Sequence, residues 1–314
     1  LKRCPHLKLV HSPLDVYKKE SQKIFAIFAR YSDKIEGLSM DEAFIDVTDS
    51  PHFSGSATLI ANAIRKDIAD ELGLTASAGI ATNKFIAKVA SEVNKPNGYF
   101  LVQPHREQEF IADRSVRCIW GVGKVLNAKL ESHGIFKCRD LYPYSKWQLQ
   151  AQYGSIGSAL HEYSRGIDHR QVKTNRIAKS ISTETTFPQD IVDPNKGIEQ
   201  LEILFKKLSH RLALKKSKIK KNEKFKSVFC KLKFNDFSIH SKEQACESLN
   251  LSLLRKLFLS AQKRNPWPIR LIGIGVRFDA KTSIQFDLFD DTVLSKDIPR
   301  NPFSLPATQV KISA

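Results

Sequence analysis

Residues 38–48 read Leu38-Ser-Met-Asp-Glu-Ala-Phe-Ile-Asp-Val-Thr48, with two adjacent carboxylates, Asp41 and Glu42, where the apolar run Phe44, Ile45 and Val47 begins. The run predicts a strand over 43–47. A strand with acids at its mouth offers hard oxygen ligands on a rigid support, which suits a divalent cation. In phosphoryl transfer such carboxylates hold the ions that clamp the attacking and leaving oxygens. A strand end with solvated acids is the competing reading of these residues alone. Successive strand residues point to opposite faces, so both acids reach one ion only if the backbone turns or bulges there. Asp41 is therefore the firmer metal ligand. Glu42 serves a second ion or helps take a proton from the attacking hydroxyl.

Two further blocks stand downstream: Ser77-Ala-Gly-Ile-Ala-Thr-Asn-Lys-Phe-Ile-Ala-Lys-Val-Ala-Ser-Glu-Val-Asn-Lys-Pro-Asn-Gly98, and Ile119-Trp-Gly-Val-Gly-Lys-Val125 leading to Gly134-Ile135. With Ser39–Asp46 they resemble, in order, the second catalytic motif, the nucleotide-side palm segment and the thumb hairpin of the Y-family DNA polymerases, in the DinB (DNA polymerase IV) branch. The resemblance runs from Leu1 to about Phe289. It implies a DNA-templated DNA polymerase of the translesion type, adding deoxynucleotides to a primer 3′-OH in DNA repair and damage tolerance. It also implies two Mg2+ ions in the complete enzyme, with Asp41 as a ligand and Glu42 assisting, together with low fidelity and no proofreading. Lys95, in Asn-Lys-Pro-Asn-Gly98, matches the family's triphosphate-binding lysine, and Lys84 is a second nucleotide-binding candidate. Without the resemblance, either lysine would read as surface decoration.

One departure stands out. Leu1 corresponds to an internal point of the family's sequence. The family's opening strand carries another metal-binding aspartate, and an aromatic that excludes ribonucleotides follows it. The expectation is an N-terminally truncated chain whose metal site is incomplete and which is inactive alone. The alternative is a non-catalytic DNA- and clamp-binding fragment or degenerate homologue.

The implied fold is multidomain α/β and α+β: a partial polymerase palm over 1–103, a helical thumb with a helix-hairpin-helix over 104–168, a linker over 169–179, an α+β little finger over 180–281 and a tail over 282–314. Periodicity supports that division. Helices are predicted at 14–35, 57–72 (with Gly73 as C-cap) and 83–93, and strands at 74–81 and 99–102. In Trp120-Gly-Val-Gly123, Gly121 and Gly123 let backbone approach a phosphate, with Lys124 and the N–H groups of a helix over 125–132 behind them. A simple turn between helices is the alternative. Tyr153-Gly-Ser-Ile-Gly157, before a helix at 158–164, reads as a looser second copy. Residues 167–179 are polar and basic, which reads as a tether. Beyond them, strands at 181–187, 228–234 and 270–278 and helices at 195–214 and 251–263 make the α+β unit.

Composition narrows the partners. The chain has 314 residues, 41% hydrophobic and 26% charged, with a net charge of +17. Residues 176–281 hold 23 Lys/Arg against 10 Asp/Glu. Such a concentration suits a polyanion, because each phosphate contact releases counterions. A solvated repelling face and anionic lipid are the other readings. The lysine-rich stretch 215–226 reads as a solvated loop. Primer–template DNA and deoxynucleoside triphosphates are the expected partners, with no membrane partner and a monomeric state. No run is long enough to span a bilayer. The five cysteines include no Cys-x-x-Cys pair, which disfavours a zinc site or disulfide framework and fits a reducing cytoplasm.

The segment 282–314 loses periodicity and contains Pro299, Pro302 and Pro306, so a disordered tail is expected. Gln285-Phe-Asp-Leu-Phe289 resembles the peptide that binds the bacterial sliding clamp, with Gln285, Leu288 and Phe289 as anchors. A final edge strand over 283–289 is the alternative.

Overall fold

A computed structural model of the chain describes residues 4–8, 10, 12–175, 178–216, 225–263, 265–279 and 309–313. The chain folds as two units, residues 1–176 with 300–314, and residues 177–299.

The first unit is built on a five-stranded sheet. Its strands in chain order are β1 (Ile35–Gly37), β2 (Glu42–Asp46), β3 (Ser77–Ala81), β4 (Tyr99–Leu101) and, from the far end of the sequence, β9 (Gln309–Ser313). Their spatial order is β1-β2-β9-β3-β4. Helices α1 (Leu14–Tyr31) and α2 (Ala57–Leu72) cover one face. There Ile24, Ile27 and Phe28 of α1 and Ile60, Ile64 and Ile68 of α2 pack on Ala43, Ile45, Ala78 and Ile80. Ser56 caps the N-terminus of α2, and Gly73, at φ +64°, ends it as the sequence predicts.

The other face carries α3 (Lys84–Ala90), capped by Asn83, whose side chain accepts from Ile86 N. A Cβ on Gly79 of β3 would lie 1.9 Å from the Ala87 carbonyl oxygen, so this glycine lets helix and strand backbones touch. Covered on both faces, β2 buries Ala43, Phe44, Ile45 and Asp46.

β9 departs from the sequence reading. Residues 309–313 belong to the segment expected as a disordered tail, yet they form the central strand. β9 runs antiparallel to both neighbours, with Ile312 between Ala43 and Ala78 and Val310 between Ile45 and Ile80. Val310 and Ile312 are fully buried against α1 and α2, each contributing about 1.5–3 kcal/mol of hydrophobic stabilisation. In the sheet, β9 lies between β2 and β3 and pairs with both. Five residues with two β-branched anchors are too short for a period to declare itself after a proline-bearing stretch. β1 escaped for the same reason: the helix expected to reach residue 35 ends at Tyr31, and three residues then pair with β2.

The helical part of this unit comprises α4 (Glu107–Ala112), α5 (Lys124–Ser132), α6 (Lys146–Tyr153) and α7 (Ile156–Ser164). Its core includes Ile119, Leu130, Leu149 and Leu160, and Phe85, Ile86 and Val89 of α3 join the same cluster. The tether expected over 167–179 is anchored at its start. Asp168 accepts from Phe85 N at 3.0 Å, Lys84 donates to the Gln171 carbonyl at 3.2 Å, and Lys173 N donates to Glu36 at 2.7 Å.

The second unit is a four-stranded antiparallel sheet, β5-β8-β6-β7, formed by β5 (Ser180–Ile191), β6 (Phe225–Phe234), β7 (Ile239–Ala245) and β8 (Ile269–Phe278). Helices α8 (Pro194–Lys216) and α9 (Leu251–Gln262) pack on one face, where Leu201, Leu204 and Phe258 meet Cys230, Leu232 and Ile274. β7 was missed because Ile239-His-Ser-Lys-Glu-Gln-Ala245 carries one large apolar residue, and that one is exposed. Residues 217–224 of the lysine-rich loop and the motif Gln285–Phe289 lie outside the described residues.

Candidate functional site

The acid pair sits where the β1–β2 hairpin turns into β2. Leu38 N donates to the Glu42 carbonyl at 2.8 Å, closing the turn, and Gly37 pairs with Ala43. Asp41 therefore stands in the turn, outside the strand's strict alternation, and Glu42 opens β2. The turn frees Asp41 from the alternation that sends neighbouring strand side chains to opposite faces. Asp41 is exposed and accepts from Ser39 Oγ at 2.5 Å. Glu42 is half-buried, with Lys88 Nζ of α3 3.8 Å from its Oε1.

Register places the Lys95 loop at the same end of the sheet. Glu42 opposes Ser313, Ser313 opposes Ser77, and β4 begins with Tyr99 beside Ala78, so β2, β3 and β4 all start there. Residues 91–98 lead into β4 from α3. Arg65 anchors this loop, donating to the carbonyls of Ala76, at 2.9 Å, and Asn97. Lys95 is partly exposed and pairs with Glu92 at 2.8 Å.

Lys84 sits differently. Its side chain is 4% exposed, its ammonium lies 2.5 Å from Glu36 Oε2, and it stands 5.1 Å from the centre of the Phe44 ring. Its bonds to Glu36 and the Gln171 carbonyl commit it to joining α3, β1 and the strap after the thumb. Replacing Lys84 with Met leaves Glu36 largely buried without its cation. Chemical denaturation should show a loss of about 3–5 kcal/mol.

Lys88, one helical turn after Lys84, is the residue the sequence reading passed over. Helical spacing puts it on the same face as Lys84 but does not say what that face meets. Beyond Glu42, its ammonium lies 5.8 Å from the ring of Trp120 in the thumb hairpin. Trp120 also stacks with Arg170 at 5.3 Å. Asp168 holds Arg170 through two bonds of 2.8 and 2.9 Å and raises the guanidinium pKa above its usual value.

In that hairpin Gly121 has φ +100°, and a Cβ there would meet Ile156 Cδ1 at 2.9 Å. Gly123 is the N-cap of α5 and supplies no side-chain cap to the first-turn N–H groups. Gly121, Gly123 and Lys124 are all exposed. The arrangement leaves helix N–H groups and an ammonium available to a phosphate. The second copy is tighter than expected: α7 starts at Ile156, and a Cβ on Gly157 would strike the backbone of Leu149.

In the second unit, the sheet face opposite the helices carries Lys231, paired with Glu184 at 2.5 Å, and Arg277, paired with Glu243 at 3.0 Å. Among the described residues no three His, Cys, Asp or Glu side chains gather as a metal site, and no helix is long and apolar enough to cross a membrane.

Residues 1–92 match the impB/mucB/samB family, residues 178–288 match that family's C-terminal domain, and residues 119–168 match the thumb domain described for DNA polymerase-iota. DNA polymerase IV of Ectopseudomonas mendocina is 43% identical over 277 residues, covering 88% of this chain and 78% of the relative. The Francisella tularensis subsp. holarctica enzyme of the same name is 40% identical over 292 residues, covering 92% and 81%. Among solved structures, a Y-family DNA polymerase chimera built on Dbh aligns with a TM-score of 0.76 at 24% identity, covering 88% of this chain and 80% of that one. DinB from Sulfolobus solfataricus aligns at 0.52 and 22%, covering 88% and 81%. At such identities the structural likeness speaks for the fold, while the sequence matches speak for descent. From both, the chain belongs to the Y-family DNA polymerases, in the DNA polymerase IV branch.

Proposed function

We infer that this translesion-type, DNA-templated DNA polymerase does its chemistry at the sheet end where Asp41 and Glu42 stand. The observation that carries the reading is the shared register. The acid pair and the Lys95 loop lie where three strands begin, and α3 runs beside them with Lys88 on Glu42.

The donor set fits magnesium in part. Mg2+ is commonly held by one or two carboxylates together with substrate phosphates, and Asp41 and Glu42 supply two such oxygen ligands. A divalent cation bound there supplies charge neutralisation for a deoxynucleoside triphosphate. Asp41, exposed in the turn, would be the primary ligand, and Glu42 would assist. Lys95 neutralises the triphosphate from the β4 loop. In phosphoryl transfer, positioning and charge neutralisation carry most of the rate.

Primer–template DNA is gripped by Gly121, Gly123 and Lys124 of the thumb hairpin and by the basic second unit, through the backbone and without base readout. Fluorescence anisotropy with a short primer–template should give binding that falls steeply with salt, roughly tenfold or more between 50 and 200 mM. Binding that ignores salt would contradict the phosphate-contact assignment.

The motif Gln285–Phe289 is assigned to a bacterial sliding clamp, through insertion of Leu288 and Phe289 into an apolar groove with Gln285 beside them. A peptide spanning Ser283 to Asp291 should bind clamp, and Leu288→Ala with Phe289→Ala should abolish that binding. Equal binding by the doubly changed peptide would contradict the assignment. A cytoplasmic, monomeric enzyme accords with these partners.

A further inference from the structure

The face of α3 turned toward β2 carries two lysines with different fates. Lys84 is fixed by Glu36 and the Gln171 carbonyl and is nearly fully buried. Lys88, one turn on, is a third exposed and rests 3.8 Å from Glu42, an ion-pair distance longer than a hydrogen bond. Its other neighbour, Trp120, also carries Arg170, which Asp168 pins in place. Of the two cations on that ring, Lys88 is the one held loosely.

We propose that Lys88 is a second nucleotide-phosphate ligand, parked on Glu42 until a divalent cation takes that carboxylate. This rests on the polymerase reading above and adds a residue to it. A dication competes strongly with an ammonium for carboxylate oxygens. With Glu42 holding a cation, Lys88 would be released from that carboxylate and would be free to meet a triphosphate bound beside it. A lysine ammonium is a compact charge on a flexible stem, suited to moving a few ångströms onto a phosphate. A triphosphate carries several negative charges, and Lys95 answers one. The parked position sets a positive charge beside the half-buried carboxylate before substrate arrives. Trp120 then reports the movement, because the ammonium near its ring leaves as nucleotide binds.

The test uses the 314-residue chain with Trp147→Phe and Trp267→Phe, both exposed positions, so that Trp120 is the sole indole reporter. The chain is bound to a dideoxy-terminated primer–template and titrated with the matching deoxynucleoside triphosphate and Mg2+. Nucleotide should change Trp120 emission. Lys88→Met should weaken nucleotide binding, followed by filtration with labelled nucleotide, roughly tenfold and abolish the emission change. Its melting temperature and primer–template affinity should stay as in the parent, and Lys88→Arg should recover most of the nucleotide affinity. A purely structural role would move melting temperature and leave the nucleotide titration alone. Nucleotide affinity within about twofold of the parent in Lys88→Met, or a persisting emission change, would overturn the proposal. A parent that binds primer–template but no nucleotide would overturn the polymerase reading itself, and this inference with it.

Discussion

Assayed with magnesium, the chain with only Asp41 and Glu42 as carboxylate donors will extend a primer roughly a thousandfold more slowly than a form in which a third carboxylate is supplied beside them. Two-metal transfer needs one ion at the leaving triphosphate and one at the attacking hydroxyl, and carboxylates must come from more than one strand. Here Asp41 and Glu42 are adjacent in sequence, and no third donor gathers with them among the described residues. The neighbours of β2 explain why. On one side, β1 contributes Glu36, which is committed to Lys84 and to Lys173 N. On the other, β9 sets Ser313 opposite Glu42. Two carboxylates plus phosphate oxygens suffice for the cation that accompanies a nucleotide, so nucleotide binding should survive where chemistry does not. A gel-based primer-extension assay on both forms measures the ratio directly. Equal rates would show that the acid pair alone suffices.

Much of the candidate site's placement in the fold was legible because it is local. The carboxylates, the start of β2 and the Lys95 loop all lie in short segments whose residue types declare them, and Gly73 and Asn83 mark helix ends in the expected places. What stayed hidden depends on partners distant in sequence. Lys84, a nucleotide-ligand candidate from its sequence context, meets Glu36, 48 residues away, a contact that no local pattern announces. Lys88 gave no sign of meeting both Glu42 and Trp120, because helical spacing says which lysines share a face and not what faces them. The segment 168–173 is polar and aperiodic, which reads as a tether. Its anchoring comes from hydrogen bonds to Phe85 N, Glu36 and Lys84. β9 is the extreme case. Its five residues acquire meaning only from the gap between β2 and β3, on strands more than 200 residues earlier.

The second large effect is at Asp41. Asp41→Ala removes the exposed carboxylate at the β1–β2 turn while leaving every described strand, the thumb hairpin and the second unit intact. Ser39 loses only a local hydrogen bond, so folding should be unaffected. A lost metal ligand acts on the chemical step, whereas grip on DNA depends on surfaces elsewhere in the chain. Lys95→Ala should act differently, weakening nucleotide use because a phosphate contact stabilises bound substrate and transition state alike. The decisive measurement is single-turnover incorporation by Asp41→Ala beside its primer–template affinity on the same preparation. Incorporation should fall by roughly a thousandfold or more with affinity within about twofold of the parent. Near-native incorporation by Asp41→Ala would contradict the assignment of Asp41 and Glu42 as the metal-binding end of the polymerase.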